Sequence, residues 1–598
     1  MSRSKPRPGV GSFAGLTAGL VLLIAAACPE PARASIAADS LTALKGKEPS
    51  DSFTFIVWGD NRCRAGALGS PAFSRIISEA NALAPAFTVG VGDLIPGADD
   101  DDPKWTREQW ADFAAAVKRF HAPCFPLPGN HDLDGATSNA MYEEVAGPRR
   151  YAFDFGASRF IILDSQDALD ASSEQFRWLG ERLAAQPRAR NVFIFLHAPL
   201  FFADSWEPVH VLLRRFPVRA VFAGHEHLYC YDQRDGIQYV VTGGAGAPLR
   251  DPPEKGGFHH YLIANVRGDD LSLAVVKDGA ILPAQCVLHR DFPMIDKTLA
   301  AIEAPEVEAP AGECAVVTAA ATVRNPGDRA WDGVARWQTS GGWLIEPEVV
   351  RFSLAPGEEV SLPFTVHLPR PLSARYPLPE LSLEYAVEKN RSLAFAKPLH
   401  LRNLLRCAPA GGSAGTPVPV SITPAIFFRP MPDDLSASVQ LGWEAQALRV
   451  LIRVTDDIAR NVHSGEELWD GDSVELFFDM RDDGNARGHE GDDYEFCAGS
   501  GASGVEVWRY PAADESGAGP SRGGKCEIQA TAGGRIYDIA IPWAELAPFK
   551  AKAGAAFGFS MVVNDDDGLK AGGLTWVELT PGAGSGRTPF PLDRVVLE

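Results

Sequence analysis

The chain has no long run of lysine or arginine, and 77 acidic against 56 basic residues leave it a net charge of -21. Nucleic-acid affinity rests on basic patches that displace phosphate counterions, so a nucleic-acid partner is excluded. Beyond the N-terminal segment no stretch is long and apolar enough to span a bilayer, which argues against an integral membrane protein once that segment is removed. Cysteine is scarce, nine in 598 residues, and its pairing cannot be read from sequence. What is present is length, too much for one hydrophobic core, with hydrophobic and charged fractions ordinary for globular protein.

The N-terminus has the grammar of an export signal. Arg3, Lys5 and Arg7 form a basic region, Leu16 to Ala27 an apolar one, and Ala32-Arg33-Ala34 a small-x-small cleavage pattern. The mature protein then starts near Ser35 and is periplasmic or extracellular, not an integral membrane protein. Lipidation at Cys28 is a second reading, disfavoured by Pro29. Eight cysteines would remain in an oxidising compartment, with Cys314–Cys407 and Cys497–Cys526 as candidate bridges. Cys63, Cys124 and Cys230 read as buried thiols.

From about residue 50 to 290, short β-rich runs alternate with amphipathic helices. Phe53–Trp58, Phe87–Gly92, Arg159–Leu163, Val192–Leu196 and Arg219–Ala223 read as buried strands, followed by Gln238–Thr242, His260–Val266 and Leu271–Val276. Ser70 with Pro71 opens one helix, and Ser172-x-x-Gln175 has the form of a capping box for another. The pattern predicts a layered α/β sandwich with sheets inside and helices outside.

Polar residues gather just past these strands: Asp60, Gly92-Asp93, Gly129-Asn130-His131-Asp132, His197 and Gly224-His225-Glu226-His227. α/β sheets place ligands at the carboxyl ends of their strands, and glycines let several side chains approach one point. Together these motifs resemble the calcineurin-like metallophosphoesterases, over about two fifths of the chain. The resemblance implies a four-layer α/β sandwich holding two metals bridged by one aspartate, and hydrolysis of phosphate esters. Carried over by position, Asp93 is the bridging ligand. Asn130, His197 and His225 serve the second metal, and Asp60 and His227 the first. His131 is the phosphate-contacting acid and Asp132 its orienting partner. The mixed oxygen and nitrogen donors suit one or two transition-metal ions such as Mn, Fe or Zn.

One position departs from the pattern. The family's first motif is Asp-x-His, whereas here it is Asp60-Asn61-Arg62. A guanidinium cannot ligate a cation. Arg62 is therefore expected to point at the substrate phosphate, leaving the first metal site weak or vacant. Asp99 to Asp102 read as a solvated loop or an auxiliary cation site, Asp164 as a turn cap, and His260 as structural or as approaching the site from its strand.

Residues 291–312 are rich in Ala, Glu and Pro and read as a linker. Residues 313–406 show alternating β pattern with turns at Asn325-Pro326-Gly327 and Pro356-Gly357, similar to bacterial immunoglobulin-like spacer sandwiches. A Pro/Gly/Ser-rich stretch then leads into a third β region, 417–598. There, Trp469-Asp470-Gly471-Asp472-Ser473-Val474-Glu475-Leu476-Phe477-Phe478-Asp479 and Tyr537 to Trp543 resemble family 9 carbohydrate-binding modules. That likeness makes Trp469, Trp508 and Trp576 candidate platforms for sugar rings, with Trp543 in the core. Asp470, Asp472 and Glu475 are candidate calcium ligands. Two readings of the whole remain: an exported phosphoesterase with a glycan- or envelope-binding sandwich, or a non-catalytic glycan-binding protein with a degenerate first motif.

Overall fold

A computed structural model describes residues 35–48, 50–62, 70–100, 102–311, 315–370, 375–388, 391–409, 418–420, 435–484, 492–510, 519–566, 574–585 and 592–598. The export signal, Cys28, Cys63 and Cys314 lie outside the described residues.

The first region runs α1 (Ile36–Lys45), β1 (Ser52–Trp58), α2 (Pro71–Leu83), β2 (Phe87–Gly90), α3 (Pro103–Val117), β3 (Cys124–Pro126), α4 (Ala136–Val145), β4 (Tyr151–Phe155) and β5 (Ser158–Ile162). It continues α5 (Glu174–Ala184), β6 (Asn191–Phe195), α6 (Glu207–Leu213), β7 (Val218–Ala223), β8 (Tyr229–Arg234), β9 (Ile237–Thr242), β10 (Tyr261–Arg267), β11 (Asp270–Lys277) and β12 (Ala280–Pro283). Two six-stranded sheets form, ordered β12-β11-β10-β1-β2-β3 and β4-β5-β6-β7-β9-β8. Phe55, Phe87, Phe160, Phe193, Phe195 and Phe222 fill the space between them. On the far face of the first sheet, Trp58 packs with Phe73 of α2 and with Trp110 and Phe113 of α3. The expected layered sandwich is what forms, because near-continuous apolar strands can only be buried between two covered faces.

Helix starts follow the local chemistry with one shift. Ser70 caps α2, with Pro71 in its first turn. For α5 the cap is Ser173, whose Oγ accepts from Phe176 N, whereas Ser172 donates its hydroxyl to Asp170. Gln175 does not complete a capping box; it bonds the backbone of Asp164. Asp102 caps α3, and Asp100 accepts from the backbone at the start of α4. The acidic loop is thus partly spent on helix N-termini, where carboxylates are favoured.

Residues 291–312 are not a bare linker. Helix α7 (Phe292–Ala300) buries Ile295 and packs Phe292, Met294 and Leu299 against the middle region. The strand Glu306–Pro310 then pairs in parallel with His400–Pro409. The middle region holds two four-stranded antiparallel sheets around Trp331, Trp337 and Phe364. Strand His400–Pro409 leaves it and pairs with Asp593–Leu597 and Ser436–Trp443 of the last region. Buried Arg375 donates to Asn403 Oδ1 at 2.7 Å and to the Pro310 carbonyl at 2.9 Å, and Asn403 N donates to Asp593 Oδ1 at 2.8 Å. The last two regions are therefore stitched by backbone ladders and a buried polar network. Among the described residues no helix is long and apolar enough to cross a membrane.

Candidate metal centre

Every predicted ligand lies just past the carboxyl end of a parallel-paired strand: Asp60 after β1, Asp93 after β2, Asn130 after β3, His197 after β6, His225 and His227 after β7. The loops turn tightly to bring them together. Asp60, Arg62, Asp93 and His225 all have positive φ, at 59°, 36°, 50° and 71°. Non-glycine residues held there store strain, and such residues concentrate at functional sites. Two glycines make the approach feasible. A Cβ on Gly129 would meet Asp93 Oδ1 at 2.3 Å, and one on Gly224 would meet Asp60 Oδ2 at 2.4 Å.

Four donors converge. His197 Nε2 lies 3.1 Å from Asp93 Oδ1 and 3.1 Å from Asn130 Oδ1. His225 Nδ1 lies 2.9 Å from Asn130 Oδ1 and 3.2 Å from His197 Nε2. Donors around an ion at about 2.1 Å stand roughly 3 Å apart, so the set fits a transition metal. Asp60, Asp93 and His197 also form a compact, fully buried ligand group. His227 contributes from the other side, its Nε2 3.6 Å from Asp60 Oδ1. That nitrogen is buried with no hydrogen-bond partner among the described residues. Such an orphan is costly unless a cation takes its lone pair.

Backbone carbonyls decide which ring nitrogen faces the centre. His197 Nδ1–H donates to Val91 O at 2.9 Å and His227 Nδ1–H to Pro248 O at 2.6 Å. Each leaves Nε2 as the donor atom, the outer-sphere arrangement metal-binding histidines commonly have. These carbonyls were invisible to sequence reasoning, because a backbone oxygen has no signature of its own. Burial pulls Asp93 up, yet the hydrogen bond and charge of His197 outweigh it and hold the carboxylate well below its usual range. Burial works against a proton on His197, but Asp93 raises it to about 9, so an ion taking Nε2 would displace a proton from it. Burial drives His227 down to about 4, so that ring is neutral and its lone pair available at pH 7.

The expected catalytic residues divide. His131 is in place: its Nε2 lies 3.9 Å from Asp93 Oδ2 and its side chain is 31% exposed. Asp132 is not its orienting partner. Fully buried, Asp132 accepts from Leu94 N, Ile95 N and Gly129 N at 2.8, 3.1 and 2.7 Å. It knits two ligand loops together, while the carbonyl of Pro96 accepts from His131 Nδ1 at 2.6 Å. Arg62 turns to a protein group: its Nη2 is 3.0 Å from Asp93 Oδ2. His260 packs against the rings of Tyr229 and Phe258, and its Nδ1 bonds Phe258 O. Asp164 accepts from Gln166 N as a turn cap and is also held by Arg149.

A cleft of about 570 Å³ opens beside the ligand loops, lined by residues that include Leu200, Phe202, Glu226, Lys255, His289 and Phe292. The rings of Phe202 and His289 stack at 3.6 Å. The volume is in the range of small-molecule sites. It arises from segments far apart in sequence, and no local motif announced it.

The three tryptophans of the last region fall differently. Trp508 and Trp576 lie on one face of the long sheet, on strands Gly504–Tyr510 and Leu574–Glu578, opposite the core face that carries Val507 and Val577. Three strands separate them, so they stand roughly 19 Å apart along the sheet. Glu475, Glu495, Asn564 and Tyr510 share that face by register. Trp469 sits in the short 3-10 helix Gly465–Asp470 and is 41% exposed. Trp543 is buried as expected. The expected calcium trio does not converge. Asp472 turns to Asp456 and Asp565, while Glu475 accepts from Asn564 Nδ2 at 2.7 Å. Residue 472 precedes the strand, so it escapes the alternation that aims Glu475 at the sheet face. Cys497 and Cys526 are free thiols, not a bridge, and Cys407 is also free.

Residues 68–229 match the calcineurin-like phosphoesterase family, and residues 422–584 match the carbohydrate family 9 binding domain-like family. Serine/threonine-protein phosphatase CPPED1 of Rattus norvegicus is 29% identical over 28% of this chain and 61% of its own length. The 3',5'-cyclic adenosine monophosphate phosphodiesterase CpdA of Escherichia coli (strain K12) is 30% identical over 23% of this chain and 54% of its own. The chain thus spans between half and two thirds of these relatives. A purple acid phosphatase from yellow lupin, Lupinus luteus, superposes with a TM-score of 0.33 at 17% identity, covering 40% of this chain and 53% of that one. The chain joins a calcineurin-like phosphoesterase domain to a carbohydrate family 9 binding domain-like domain.

Proposed function

We propose that the protein hydrolyses phosphate esters, mono- or diesters, in a metal-dependent reaction at the Asp93–Asn130–His197–His225 centre. The observation that carries this is the convergence of those four donors, linked by four contacts of 2.9 to 3.2 Å, at the carboxyl ends of parallel strands. An ion such as Mn, Fe or Zn bound there polarises a phosphoryl oxygen and lowers the pKa of a water molecule. The chain's own groups do the rest. Val91 and Pro248 carbonyls hold His197 and His227 in one tautomer. Pinned through Nδ1, His131 turns Nε2 toward the centre, and its imidazolium form, protonated on both nitrogens, gives the Nε2 proton to the leaving oxygen. The cleft beside the centre receives the leaving group, with the stacked Phe202–His289 pair as an apolar wall. One relative named above is a protein phosphatase and the other a cyclic-nucleotide phosphodiesterase, so both ester classes belong in the assay. Metal-loaded protein is expected to cleave p-nitrophenyl phosphate or its bis-ester, to lose activity on chelation and to recover it with added metal. No turnover of either ester at full metal loading would overturn the reading in favour of a non-catalytic glycan-binding protein.

The proposal includes a glycan partner for the last region and export for the whole chain. Trp508 and Trp576, with Glu475, Glu495 and Asn564 between them, support an extended oligosaccharide lying across the strands. Export rests on the basic, apolar and small-residue pattern of residues 3–34. An unprocessed N-terminus on protein recovered from the producing cell would overturn it.

A further inference from the structure

The two sides of Asp93 are not alike. Oδ1 faces the four-donor set. Oδ2 is bonded to the guanidinium of Arg62 at 3.0 Å. On that second side Asp60 and His227 are the remaining protein donors among the described residues, 3.6 Å apart, and both Asp60 oxygens already lie within hydrogen-bond reach of His225 N, at 3.0 and 3.2 Å. A guanidinium has five N–H donors and no lone pair, and it stays charged at any physiological pH. A second ion bridged by Asp93 would have to share Oδ2 with that charge, at a separation of a few ångströms, where repulsion inside a buried site is severe. Arg62 cannot swing away cheaply. Its backbone N donates to Asp93 O at 3.2 Å, its φ is 36°, and its side chain is only 18% exposed. Its Nε is buried with no partner among the described residues.

We propose that this protein works with one metal ion, and that the Arg62 guanidinium stands in the place of a second cation. From there it neutralises the outer oxygen of Asp93 and presents its Nε–H to an oxygen of the bound phosphate. A fixed organic charge supplies charge neutralisation without metal exchange, which is most of what a phosphoryl-transfer site needs from its second cation. The inference rests on the phosphoesterase reading above, and its test keeps the two apart. The full chain, purified without chelator and dialysed against Mn2+, is expected to hold one ion per chain by elemental analysis. Its electron paramagnetic resonance spectrum should be that of isolated Mn2+. Arg62→His restores a lone pair at this position; it is expected to hold two ions and to show the spectrum of a spin-coupled pair. Arg62→Gln, with neither charge nor imidazole, should hold one ion and lose at least tenfold in kcat. Two ions per wild-type chain, or one per Arg62→His chain that unfolds with the wild-type profile, would overturn the inference while leaving the hydrolase reading intact. No bound ion and no turnover in the wild type would overturn both.

Discussion

His131 donates Nδ1–H to the carbonyl of Pro96 at 2.6 Å, and this fixes its other nitrogen 3.9 Å from Asp93 Oδ2. A backbone carbonyl thus does the orienting work that the adjacent Asp132 carboxylate was expected to do. A carbonyl is a weaker acceptor than a carboxylate, but it fixes the ring's orientation and adds no charge to the site.

His131→Ala should therefore lower kcat by about 10²- to 10⁴-fold, the usual worth of a positioned proton donor. Metal content should not change, because the ring is not part of the converging donor set. Steady-state kinetics beside elemental analysis checks this, and a parallel loss of metal would make His131 a ligand.

Asp132→Ala should act through the fold. It strands three buried N–H groups, those of Leu94, Ile95 and Gly129, at about 1–3 kcal/mol each. The expected result is a clear fall in the denaturation midpoint, with weaker metal binding because the loops of Asp93 and Asn130 loosen. Unchanged stability with lost activity would return Asp132 to a catalytic role.

His197→Ala removes a donor that takes part in three of the four short contacts in the centre. The expected outcome is loss of bound metal and of turnover together, read by elemental analysis and ester hydrolysis. Retention of a full metal complement would place the ion elsewhere.

Glu495 and Glu475 are both partly buried on the tryptophan-bearing face. Burial first, then the charge of Glu475, pushes Glu495 up to about 8. An acid whose folded value is raised binds more protons folded than unfolded, so stability falls as pH rises. The window opens at the ordinary glutamate value of 4.5 and closes near 8. Glu495→Gln should flatten this slope, so that the variant melts higher than the wild type at pH 8.5 and little differently at pH 5. Thermal melts followed by tryptophan fluorescence check it.

Trp508→Ala and Trp576→Ala should each reduce retention in native gels containing soluble polysaccharide, by about tenfold in affinity if one ring stacks on each aromatic face. Trp469→Ala is expected to weaken retention less, since its ring lies in the 3-10 helix beside the face and not on a strand of it. Equal migration of all variants would remove the glycan partner.

Much of the centre was legible before any coordinates, for a specific reason. In an α/β sandwich the strands are apolar and the ligands here sit two to four residues past their ends, so Gly92-Asp93, Gly129-Asn130 and Gly224-His225 stand out where hydrophobic pattern stops. The cap of α5 was misread by one residue because Ser172 and Ser173 are equivalent as sequence, and only the strand–helix path chooses between them. The segment 291–312 reads as a linker because it is rich in alanine, glutamate and proline. Its apolar residues Phe292, Ile295 and Leu299 become a helix only against the middle region.

The sequence by itself determined the strand order of chemistry, the identity of the donor atoms and the one position where a cation replaces a ligand. Those depend on residue type and on hydrophobic period, both local properties. Only the tertiary structure decided which oxygen of Asp93 Arg62 takes, which carbonyls orient His131, His197 and His227, and where the cleft opens. Each of these is a contact between segments tens of residues apart, set by how two sheets pack and not by the chain near either partner.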